Sequence, residues 1–144
     1  MQRNKLWEGI ALPAFEKRIY MIIKAKTFDE ERALYNLQDA TVRDCTFAGP
    51  KDGESALKEA RNVTLENCAF SLRYPLWHTV GFNLKNCTME DTDLSFEYSQ
   101  VEATVKGHID SVKNPASGFI TADSIGQVIW EDSVIESTCK VNIR

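Results

Sequence analysis

The sequence predicts an all-β fold, a single-stranded right-handed parallel β-helix of about five rungs with an N-terminal cap or extension. Three observations carry that expectation: a phrase that recurs along the chain, a slip of parity inside it, and a constant offset between neighbouring copies. The phrase is Val63-Thr64-Leu65-Glu66-Asn67-Cys68-Ala69-Phe70, which reads apolar-x-apolar-x-Asx-Cys-x-apolar. It stands earlier as Ala40-Thr41-Val42-Arg43-Asp44-Cys45-Thr46-Phe47 and later as Phe82-Asn83-Leu84-Lys85-Asn86-Cys87-Thr88-Met89, with a degenerate copy at Val128 to Ile135.

The parity slip identifies the fold. Val63 and Leu65 face one side of a strand, as do Cys68 and Phe70, but three positions separate Leu65 from Cys68. A chain that keeps its apolar groups inside while skipping a residue must bend. Asp44, Asn67, Asn86, Gly107 and Asp132 stand at the skip, and these residue types tolerate a left-handed backbone. A further strand at Ala56-Leu57-Lys58 completes three short strands and three corners per rung. A leucine-rich repeat would need a helical half that is missing here, and a β-sandwich would not keep a constant register.

In chain order, residues 1–26 do not repeat and are expected to be a cap or extension, with Trp7, Ile10, Leu12 and Phe15 suited to shielding an open end. The β-helix domain spans residues 27–144. Glu31 to Phe47 is matched by Glu54 to Phe70 at an offset of 23, and the third unit, Arg73 to Cys87, is shorter. In the fourth, Gly107 takes the Asx slot and His108 the Cys slot; the fifth ends at Ser133. The slot thus reads Cys45, Cys68, Cys87, His108, Ser133, with spacings of 23, 19, 21 and 25.

Composition narrows the function classes. Of 144 residues 43% are apolar, enough for one cored domain. Seventeen Lys and Arg against twenty-one Asp and Glu leave a net charge of −4, with no basic surplus for phosphates, so no nucleic-acid partner is expected. The run Ile19 to Ile23 is too short to span a bilayer, and no membrane partner is expected. Glu8 and Pro13 interrupt any apolar stretch near the start, so no secretory leader is expected. The four cysteines are accordingly read as free thiols in a cytoplasmic protein.

Four motifs resemble a known family: Thr27-Phe28-Asp29-Glu30-Glu31-Arg32-Ala33-Leu34-Tyr35, Asp52-Gly53-Glu54-Ser55-Ala56-Leu57-Lys58-Glu59, Arg73-Tyr74-Pro75-Leu76-Trp77-His78, and Gly107 to Pro115. They are similar to those of an uncharacterised bacterial family of unknown function, and the resemblance runs from Thr27 to about Val134. It implies a pectin-lyase-like β-helix and brings no reaction. Members of that family carry further aromatic-rich rungs between the third and fourth motifs, which this chain lacks.

Candidate chemistry is sparse. The cysteine column reads as small filler at a corner, because metal ligands converge on a point whereas a ladder sets them in a line. No metal or cofactor is expected. His108 reads as a hydrogen-bonded interior histidine, and no Ser-His-Asp arrangement follows from the positions alone. Glu90-Asp91-Thr92-Asp93 reads as a solvated corner.

The sharper feature is external. With Leu34, Leu57 and Leu76 inward, Tyr35, Lys58, Trp77 and, by register, Tyr98 face outward in one column. Such a platform suits the face of a sugar ring, with Glu54, Arg73 and Glu97 beside it as polar contacts and Arg73 and His78 among the ligand-binding candidates. The alternatives are that residues 1–26 or a second copy of the chain covers the column. The leading expectation is therefore a non-catalytic binding or interaction scaffold, self-associating, with carbohydrate as the candidate ligand. The competing expectation is a polysaccharide lyase or glycoside hydrolase using paired carboxylates drawn from Asp52, Glu54 and Glu97.

Overall fold

The structure, a computed structural model, describes residues 21–48, 54–131 and 136–144. Among these the chain forms twelve strands and no helix, stacked as a parallel β-solenoid of about six turns. The principal sheet face is built from β1 (Met21–Lys24), β3 (Gln38–Arg43), β5 (Arg61–Glu66), β7 (Val80–Thr88), β8 (Gln100–Lys106), β10 (Ser117–Ala122) and β12 (Lys140–Ile143), each parallel to the next. A second face carries β2 (Thr27–Phe28), β4 (Thr46–Ala48) and β6 (Ala69–Ser71), which runs onto the end of β7. The two C-terminal strands of the third face, β9 (His108–Lys113) and β11 (Ser124–Ile129), form a separate parallel pair. Among the described residues stacking is already present at Met21, where β1 pairs Met21 with Ala40 and Ile23 with Val42; the expected cap residues Trp7, Ile10, Leu12 and Phe15 lie outside the described residues. No helix of the described residues is long and apolar enough to cross a membrane.

The recurring phrase folds as its parity requires. Val63 and Leu65 are buried on β5, Cys68 and Phe70 are buried beyond the corner, and Asn67 between them has φ 55°. Asp44 and Asn86 adopt the same left-handed backbone, φ 53° and 57°. Asx side chains suit it because they replace the missing backbone bonds locally, and here the Asn86 Nδ2 donates to the Asn67 Oδ1, tying one turn to the next. Inside, side chains stack by type: Val42, Leu65 and Leu84 in one column, Phe28, Phe47 and Phe70 in another.

Three expectations need correction. The stretch Ala56-Leu57-Lys58 is not a strand. In the first four turns the third face consists of stacked, overlapping β-turns, with Lys58 N donating to Ser55 O and Ala60 N to Leu57 O. Positive φ recurs at alternate residues: Arg32, Leu34, Asn36, then Ser55, Leu57, Glu59, then Tyr74, Leu76, His78, then Leu94, Phe96, Tyr98. A left-handed leucine costs about 1–2 kcal/mol. Bonds between turns offset it, Leu57 N donating to Ala33 O at 2.8 Å and Leu76 N to Ala56 O at 2.9 Å, while the inward side chains of Leu57, Leu76 and Phe96 are wholly buried.

The second correction concerns the cysteine slot. Leu84 pairs with Ala103 and Cys87 with Val105, so the extra corner residue of the earlier turns is deleted in β8. Val105, fully buried, continues the column and Ala122 follows it. His108 instead opens β9 with its side chain 41% exposed, so it is no interior histidine; Ser133 lies outside the described residues. The third is the degenerate copy: Val128 and Ile129 belong to β11 on the third face, paired with Val112 and Lys113, whereas Ile120 and Ala122 of β10 take the inward positions of the phrase.

Candidate functional site

The stacked turns present three outward columns, and their register follows from the bonds between turns. Leu76 N bonds to Ala56 O and Phe96 N to Pro75 O, which aligns Leu57, Leu76 and Phe96. The next outward column is therefore Tyr35, Lys58, Trp77 and Glu97, not Tyr98. Tyr98 stands one position on, with Asn36, Glu59 and His78, all four at positive φ. On the other flank stand Glu31, Glu54, Arg73 and Asp93.

Of the predicted ligand residues, Lys58, Trp77, His78 and Tyr98 come together, without forming a flat platform. Lys58 Nζ lies 4.9 Å from the Trp77 ring centroid. Trp77 meets Tyr98 at 6.2 Å and 75° and His78 at 5.3 Å and 74°, both edge-on. Edge-to-face packing satisfies the ring quadrupoles. Tyr35, 51% exposed, stands apart at the lower end.

The charged groups beside the rings are paired. Arg73 Nε bonds both Asp93 oxygens at 3.2 Å, and its Nη1 is 3.9 Å from Glu54 Oε2. His78 Nδ1 and Glu59 Oε1 are 2.8 Å apart. Glu97, 8% exposed, lies 3.4 Å from Lys113 Nζ, which also pairs with Glu131 at 3.0 Å. The Glu131 bond, with the Glu97 charge behind it, holds the Lys113 ammonium above the usual lysine range. Asp52 lies outside the described residues. The Glu90 to Asp93 corner is more than solvated loop: Thr92 is buried with its hydroxyl donating to Met89 O, and Asp93 holds Arg73.

Two further constellations were not legible in the sequence. Ser124 Oγ is 2.6 Å from His108 Nδ1, and Asp110 Oδ1 is 3.4 Å from His108 Nε2. The register Ser124 to His108 across β11 and β9 makes this contact. It has the composition of a nucleophile triad, but all three side chains are open to water. Ser124 N and Asp123 N both donate to Gly107 O, which leaves neither beside the hydroxyl for an oxyanion, usually the largest catalytic contribution. The second is a groove of about 390 Å³ at the corner before the principal face, edged by Asn62, Asn83, Gln100, Glu102 and Ser117. Gly81 and Gly118 lie in its wall. A glycine in the slot held by Asn62 one turn earlier and Asp39 two turns earlier was the available signal.

The cysteines behave as filler. Cys45, Cys68 and Cys87 are buried and free, each with Sγ near a main-chain carbonyl, as at 3.2 Å for Cys45 and Arg43 O. Among the described residues no cluster of three or more His, Cys, Asp or Glu suits a metal ion. The hydrogen-bonded Cys87 thiol and burial push the Cys68 thiol up, and burial pushes Cys139 up to about 11. Only thiolates attack. Native protein should therefore lose one thiol, Cys139, to a disulfide reagent, with a rate that climbs about tenfold per pH unit below that value; unfolded protein should lose four. Rapid loss of two or more from native protein would contradict this packing.

A protein-family model with the description "Protein of unknown function (DUF3737)" matches residues 21–86 and 80–144. Neither the curated proteins nor the solved structures contain a match.

Proposed function

Because the chain belongs to the family of proteins of unknown function DUF3737, whose description assigns no reaction, we propose on the geometry alone that it is a non-catalytic binding scaffold for carbohydrate. In this reading the solenoid is of pectin-lyase-like type, and the outward turn surface around Trp77 is its recognition surface. The observation that carries it is the pairing of every described carboxylate beside the rings: Glu54 and Asp93 with Arg73, Glu59 with His78, Glu97 with Lys113. Acid–base cleavage of a glycoside needs one carboxyl kept protonated by burial or by a like charge. The two described candidates, Glu54 and Glu97, each face a cation instead, Arg73 and Lys113. What remains is a rigid surface of half-exposed rings and fixed charges, suited to holding a ligand.

Free, buried thiols fit a reducing compartment, which supports a cytoplasmic location. Self-association is supported by the outer edges of β1 and β12, which no other described strand pairs. Met21 and Ile22 on β1 are 51% and 57% exposed, and Ile143 on β12 is 58% exposed.

A glycan array with a Trp77→Ala variant tests the reading. Sugar binding should fall by at least about tenfold, the loss of one well-packed aromatic contact, with no change in size on a calibrated column. A changed size with no glycan bound by either protein would make the ring surface an interface.

A further inference from the structure

We infer that the groove beside Gly81 is a subsite for an uncharged sugar residue, which rests on the reading of the solenoid as a saccharide binder and names the ligand class. Gly81 is where the inference starts. Its corner column runs Asp39, Asn62, Gly81, Gln100, Ser117. Asp39 and Asn62 have φ 54° and 55°, close to the 71° of Gly81, and both carry side chains there. A Cβ on Gly81 would meet nothing nearer than 3.5 Å, at the Asn62 backbone. Crowding therefore does not demand glycine at this position, and the backbone conformation is one that Asp39 and Asn62 adopt in the same column. The missing side chain opens the groove.

The walls are polar, and apart from Asn62, which donates to Asp39, their polar side chains are uncommitted. The side chains of Asn83, Gln100, Glu102 and Ser117 make no hydrogen bond or ion pair with other described residues. Two amides, a hydroxyl and a carboxylate give mixed donors and acceptors within one cleft, which is what neighbouring sugar hydroxyls require. Phe119 follows Asn83 and Glu102 in the same outward column and is 36% exposed, a ring edge for the apolar face of a sugar. The volume of about 390 Å³ falls at the small end of ligand sites. Among the described residues Glu102 is the one charged residue lining the groove, so an anionic sugar would meet like charge there.

The groove adjoins the ring surface along the chain. Trp77 and Gly81 are four residues apart across a turn in which His78 is left-handed, and so no more than about 13 Å, the length of that backbone fully extended, a span that one oligosaccharide covers.

Calorimetric titration with neutral hexasaccharides of glucose and xylose, and with a glucuronate oligomer, tests the inference. Wild type should bind a neutral oligomer in preference to the glucuronate one. Gly81→Asn restores the side chain found one turn earlier and suits a left-handed backbone. It should keep the melting temperature within about 3 °C and weaken binding at least about tenfold, as should Glu102→Ala. Neutral-oligomer binding untouched by both variants but lost in Trp77→Ala would overturn the subsite and leave the ring surface standing. Preference for the glucuronate oligomer would overturn the ligand class, and no binding of any oligomer would overturn both readings.

Discussion

Replacing Phe47 with alanine should lower stability by about 3–5 kcal/mol, the usual cost of emptying a buried phenylalanine site. Phe47 is fully buried at the centre of a ring stack. Its centroid is 5.1 Å from Phe28 at 13° and 4.7 Å from Phe70 at 8°, so truncation removes two ring contacts at once. Backbone pairing on both sides, Thr46 to Thr27 and Phe47 to Phe70, keeps the walls from collapsing into the space. A domain of this size melts about 3 °C lower per kcal/mol, so a drop on the order of 10 °C is expected in thermal unfolding followed by circular dichroism. Phe47→Leu, which keeps most of the volume, should cost less than half as much. A drop under about 3 °C for the alanine variant would mean that the column is not a supporting element.

That column was legible because its cause is local. Inward residues repeat at one offset, and the Asx bend that separates Leu65 from Cys68 is written in residue types that accept a left-handed backbone. The misreadings have one origin, that register between turns is set by hydrogen bonds and not by wording. His108 follows a glycine as Cys68 follows Asn67, yet β8 runs straight past the corner, because Val105 fills the space of Cys87 without the extra residue. Likewise Tyr98 looked like the partner of Trp77, whereas Phe96 bonding to Pro75 brings Glu97 into that column and its carboxylate to Lys113. The third face was harder still. Alternating left-handed residues such as Leu57 and Glu59 carry no compositional mark, since leucine ordinarily avoids that conformation. The same limit hid the groove, whose lining residues come from several turns.

Gly118→Ala should be among the most damaging single substitutions, although it adds one methyl group at an exposed position. Gly118 has φ 93°, and a Cβ there would lie 1.8 Å from Val101 O and 2.8 Å from Val101 C. Both obstacles are main chain of the neighbouring strand, so no side chain can rotate away. Relief requires β10 to move off β8, breaking the register that pairs Gly118 with Val101 and Ile120 with Ala103. Ile120 and Ala122 are fully buried on β10, and among the described strands β12 pairs with β10 alone, so the last two turns loosen together. Left-handed strain and overpacking sum to about 2–4 kcal/mol, a melting decrease on the order of 10 °C. Gly81→Ala is the matched control: its φ is also positive, but its nearest contact would be 3.5 Å, so it should cost about 1 kcal/mol. Hydrogen exchange should place the added opening of Gly118→Ala at β10 and β12 while β3 and β5 keep their protection. Equal melting temperatures for the two variants would show that the close approach of Gly118 to Val101 does not limit the packing of the last turns.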